Sequence, residues 1–102
     1  MIKNEEKVPA LMWKMSILDR AMKQYGIEAQ LDMLVEECSE LILAIQHMKR
    51  GRVGWDEVAE EIADVIIMTN QFHTLDGISD MIHKKEREKI ERLEKRLNAK
   101  KV

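Results

Sequence analysis

The chain has 102 residues, 45% of them hydrophobic and 35% charged, a balance that fits one small folded domain over 1–102 and excludes a disordered chain. A formal net charge of -2 argues against a nucleic-acid polymer as partner. No apolar run approaches the roughly 18 residues of a membrane span, and Met1-Ile2-Lys3-Asn4-Glu5-Glu6-Lys7 lacks the apolar core of a signal peptide, so no membrane is expected and a cytoplasmic location is.

Pro9 and Gly26 bracket a first helix over roughly residues 8 to 25, with Leu11, Met15, Leu18, Met22 and Tyr25 on one face. Trp13 on this helix, and Trp55 later, offer flat faces for a nucleobase or for packing. A second helix is expected from about 28 to 50, stopping at Gly51. Its residues Leu31, Leu34, Val35, Cys38, Leu41, Ile42, Ile45 and Met48 recur at three and four and predict the core seam, beside a row of Met33, Glu37, Glu40, Ala44 and His47. Cys38, the single cysteine, then reads as buried, inert packing. His47 either lines the face of the acids or points to solvent. Lys49, Arg50 and Arg52 complement the helix dipole or hold phosphates.

Asp56 is the expected N-cap of a third helix running to about 75, in which Val58, Ile62, Val65, Ile66, Thr69 and Phe72 are flanked by Glu57, Glu61, Asp64, Met68 and Gln71. Ser79 is the expected cap of a fourth helix ending near 98. There a mixed-charge run over 83–89, and the pairs Glu88 with Arg92 and Glu91 with Lys95, interrupt an apolar stripe that resumes at Ile90, Leu93 and Leu97. With 4 Gly, 1 Pro and no strand pattern, the expectation is an all-α, four-helix bundle-like domain with short connections. A chain this short buries a modest core, so a homodimer or homotetramer is expected.

Two acidic clusters, Glu36-Glu37-x-x-Glu40 and Glu61-x-x-Asp64, lie within these apolar helices. Residues three apart share a helix face, so each helix presents a pair of carboxylates. Side by side, the helices would surround a hard divalent cation with Glu37, Glu40, Glu61 and Asp64, and neither cluster contains a lysine or arginine. The alternative is an acidic, solvated edge joined by salt bridges to neighbouring helices. A di-iron bundle is disfavoured because no Glu-x-x-His occurs.

The stretch from Gln30 to Leu41, followed by Glu60-Glu61-Ile62-Ala63-Asp64-Val65-Ile66, resembles the all-α nucleoside triphosphate pyrophosphohydrolase superfamily, and within it the small MazG-like proteins of phages and prophages. The resemblance covers about residue 25 to the end. It implies hydrolysis of a nucleoside triphosphate to the monophosphate and pyrophosphate, with magnesium, or manganese in its place, held by Glu37, Glu40, Glu61 and Asp64. It also implies that Glu37 acts as base as well as ligand, with Glu36 and Glu60 behind the ligands, and that pockets are completed across subunits. Lys89-x-x-Arg92 is similar to a basic element that MazG proteins use near the nucleotide phosphates, although Leu93 stands where they carry a further arginine. The base pocket is not fixed by any motif. A phosphoribosyl-ATP pyrophosphohydrolase, or a non-catalytic helical interaction protein on the same scaffold, remain the alternatives.

Overall fold

A computed structural model describes residues 9–100. The expected helix start at residue 8 and the segment Met1–Lys7 lie outside the described residues. The elements are α1 (Ala10–Tyr25), α2 (Ile27–Lys49), α3 (Trp55–Gln71), a 3-10 turn (Phe72–Thr74) and α4 (Ile78–Ala99). Among the described residues there is no strand, and the chain is all-α as its periodicity implies.

The helix boundaries follow local chemistry, with three departures from expectation. Pro9 and Gly26 end α1 as expected, and Gly26 at φ 87 lets α2 start one residue later. Helix α3 begins at Trp55 with Gly54 in the capping position, so Asp56 falls in the first turn, where its charge meets the helix dipole. It stops at Gln71 rather than near 75, because the chain tightens into the 3-10 turn, where Thr74 Oγ1 donates to the Gln71 carbonyl at 2.6 Å. Gly77, at φ 79, precedes α4, and Ser79 does not cap it; the Ser79 hydroxyl lies instead 3.0 Å from His73 Nδ1.

Helices α2 and α3 form an antiparallel hairpin. Gln30 near the start of α2 meets Gln71 at the end of α3, while Ala44 and His47 share a cavity with Val53 and Glu57 at the other end. The side chains turned inward on α2 include Gln30, Leu34, Glu37, Leu41 and Ala44, a row spaced four and three, which Ile45, His47 and Met48 widen toward the C-terminal end. On α3 they are Val58, Glu61, Asp64, Val65, Met68 and Gln71. Among the described residues the buried apolar side chains are Leu18 and Met22 from α1 with Val58 and Met68 from α3.

This corrects half of the expected seam, of which Leu34, Leu41, Ile45 and Met48 are half-buried. Leu31, Val35, Cys38 and Ile42 face outward, Val35 at 67% and Ile42 at 62% exposure, and Ile62 and Ile66 are exposed on α3. Cys38 is therefore an exposed thiol rather than a buried one. Of the residues expected on one face of α1, Leu18 and Met22 are buried, whereas Leu11 and Tyr25 at its ends are exposed. One chain has enough helix to cover one side of the α2–α3 hairpin, and the row that carries the acids takes the inner position.

Helix α4 stands apart. Among the described residues its backbone comes within 8 Å of the 3-10 turn and of no other helix. The radius of gyration is 17.6 Å, against about 13 Å for a compact chain of this length, and the long axis reaches 55 Å. A four-helix bundle is thus not closed within one chain. The charged run over 83–89 explains this, since it splits the apolar stripe that would hold α4 against the hairpin.

Candidate metal centre

The antiparallel register of α2 and α3 that joins Gln30 to Gln71 sets Glu37 opposite Asp64 and Glu40 opposite Glu61. One carboxylate oxygen from each of Glu37, Glu61 and Asp64 falls within 4.8 Å of the others, and all three side chains are half-buried. Of the four acids expected together, three converge; Glu40, more exposed, stands beside them.

Like charges this close resist ionisation. Partial burial raises the Glu37 carboxyl above its ordinary value, and the charges of Glu40, Asp64 and Glu61 push it the same way. Glu61 is raised by the same partial burial first, then by Glu40, Asp64 and Glu60. No base relieves them: the salt bridge among the described residues is Lys23 with Asp19 at 2.9 Å, on α1. Among the described residues no ion pair joins these acids to another helix.

Two atoms decide what the cluster can hold. Glu37 Oε2 and Glu61 Oε2 are buried and have no hydrogen-bond partner. A buried carboxylate oxygen without a donor costs stability unless a proton or a cation satisfies it. An all-oxygen donor set of clustered carboxylates suits a hard divalent cation, so the residues present fit such an ion.

The remaining candidates are dispersed. His47 is half-buried and lines a cavity of about 170 Å³ with Glu40, Glu57 and Glu61, which brings it to the edge of the cluster. Glu36 and Glu60 point outward. Trp13 and Trp55 are exposed, on α1 and at the start of α3. Lys89 and Arg92 lie with Lys85, Glu88, Glu91 and Lys95 along an open groove on α4, and the chain does not itself bring them to the carboxylates. Glu88 with Arg92 and Glu91 with Lys95, expected as pairs, are not within salt-bridge distance.

Two features escaped the reading of the sequence. Gln30 and Gln71 are buried, at 5% and 3% exposure, and form an amide pair at the end of the hairpin. A signal existed: each lies seven residues from an acid of the cluster and therefore on the same row. The histidines His73 and His83 meet where the 3-10 turn joins α4, which helical periodicity does not reveal because the turn breaks it.

Comparison with protein-family models, characterised proteins and solved structures finds no match.

Proposed function

We propose that this chain is a divalent-metal-dependent nucleotide pyrophosphohydrolase, cleaving a (deoxy)nucleoside triphosphate to the monophosphate and pyrophosphate. The observation that carries this reading is the pair of partnerless buried oxygens, Glu37 Oε2 and Glu61 Oε2, in a carboxylate cluster that no lysine or arginine neutralises. Glu37, Glu61 and Asp64, with Glu40 beside them, would hold Mg²⁺, which when bound supplies charge neutralisation for the triphosphate and polarises its α-phosphorus.

The roles of the chain's own groups follow from placement. Glu37, whose raised carboxyl favours proton uptake, is the group that would accept a proton from the attacking water. Asp64, across the interface, fixes its orientation. Glu40 and His47 border the opening where the substrate would enter. Phosphate-binding cations must come from elsewhere than the acid cluster, and Lys89 and Arg92 on the outstanding α4 are available to a second copy.

Assembly is part of the proposal. The exposed rows Leu31, Val35, Ile42 on α2 and Ile62, Ile66 on α3, together with Ile90, Leu93 and Leu97 on α4, are the surfaces a homodimer or homotetramer would cover. These same surfaces favour a second reading, a helical interaction module without catalysis. A panel of nucleotides with Mg²⁺, scored for pyrophosphate against orthophosphate, tests the enzyme; no pyrophosphate from any nucleotide leaves the interaction module.

A further inference from the structure

A second group of metal-ligating side chains sits at the joint of the 3-10 turn and α4, apart from the acid cluster. The rings of His73 in the turn and His83 in the second turn of α4 have centroids 5.1 Å apart and planes inclined at 39°. His73 Nδ1 is 3.0 Å from the Ser79 hydroxyl, so its Nε2 is the nitrogen left for another partner. Both histidines and Ser79 line an open cavity of about 410 Å³, with Glu86 one turn beyond His83 and an apolar wall of Leu11 and Met15.

We infer that His73 and His83, with Glu86 closing from one turn further on, form a site for a transition-metal cation that accepts imidazole nitrogen, such as Zn²⁺ or Ni²⁺. Two imidazoles bound at about 2.0–2.1 Å to one tetrahedral ion hold their centroids about 5 Å apart, the spacing these rings already have. Ser79 fixes His73 from behind, as the partner of a metal-bound histidine commonly does. Among the described residues only the acid cluster has three donor atoms already within 4.8 Å, so the third donor here must swing in; Glu86 is exposed and free to do so. The two sites differ in chemistry, oxygen-only and hard at the hairpin, nitrogen-containing and softer at the joint. An ion at the joint would tie α4 to the turn, the element its backbone approaches among the described residues.

The test is calorimetric titration of the whole chain with Zn²⁺ on an Asp64→Asn background, which weakens the hairpin site, with the visible absorption of Co²⁺ as second readout. The expected result is one equivalent of Zn²⁺, weakened at least about tenfold by adding His83→Gln and by a similar factor on adding Ser79→Ala. His83 is exposed, so its replacement does not threaten the fold. Equal Zn²⁺ affinity and stoichiometry with and without His83→Gln would overturn the site, as would no Zn²⁺ binding on the Asp64→Asn background.

Discussion

Gln30 Nε2 donates to Gln71 Oε1 at 2.5 Å, joining two buried side chains 41 residues apart. Glu37 follows Gln30 by two turns on α2, and Asp64 precedes Gln71 by two turns on α3. The register that closes the amide pair is therefore the register that sets Glu37 opposite Asp64. Gln71 Nε2 reaches Met68 Sδ at 3.4 Å, so its remaining polarity is met by a weak acceptor.

Breaking this pair should loosen the hairpin from the end farthest from the loop. Gln71→Ala leaves Gln30 as a buried amide without its partner, a cost of about 1–3 kcal/mol, to which the lost packing adds. The double replacement Gln30→Met with Gln71→Met should regain most of that, because two apolar groups of similar shape leave nothing unsatisfied. Urea unfolding at fixed protein concentration measures both. Additive effects of the single replacements, with no coupling above about 0.5 kcal/mol, would show that the pair does not act as a unit.

The acid cluster should make metal-free stability depend on pH. The carboxyls of Glu37 and Glu61 are raised in the folded chain, so between their ordinary and raised values the folded state holds more protons than the unfolded one. Their contribution is then fully present below the ordinary carboxylate value and is lost as pH rises through the raised one. Without divalent metal, the melting temperature should fall over that window. Glu61→Gln, which removes one of the charges, should flatten the slope and raise the melting temperature at neutral pH. A slope unchanged by Glu61→Gln would place the pH dependence elsewhere.

Catalysis and ion binding should fail together. Glu37→Gln, Glu61→Gln or Asp64→Asn should lower pyrophosphate release by on the order of 10²-fold or more with the helical circular-dichroism spectrum unchanged. In the parent chain, Mg²⁺ with nucleotide at about 100 times the dissociation constant should add about 2.7 kcal/mol of stability, enough to move the melting temperature by roughly 10–20 °C. The shift should be absent in Asp64→Asn. An equal shift in both chains would mean that the ion binds away from the cluster.

The exposed rows should disappear on association. Light scattering at micromolar concentration should give twice 12.0 kDa or a higher even multiple. Replacing Ile42 by Glu on the outer row of α2 should shift the mass to that of one chain, since a charge there opposes burial. If activity survives intact in that monomer, the partner contributes nothing to the site.

How far the residues alone reach differs from element to element. The helices around Pro9, Gly26 and Gly77 and the shared face of Glu61 and Asp64 on α3 are legible because they depend on local sterics and on a 3.6-residue period. Asp56 and Ser79 looked like caps, yet Gly54 and Gly77 precede the helices, because the path of the chain from the preceding element sets the starting angle.

The choice between two adjacent stripes of α2 was a tertiary matter. Both the row Leu31, Val35, Cys38, Ile42 and the row Gln30, Leu34, Glu37, Leu41 have helical spacing, and hydrophobicity alone favours the first. The antiparallel hairpin selects the second, because only that row lets Gln30 meet Gln71 and places Val58 and Met68 in the interior. Residue types and their period determined the helices and the pairing of acids on each one. Packing decided which face is inside, which carboxylate oxygens lose their partners, and that α4 leaves the chain's own core, since those outcomes depend on contacts between residues far apart in sequence.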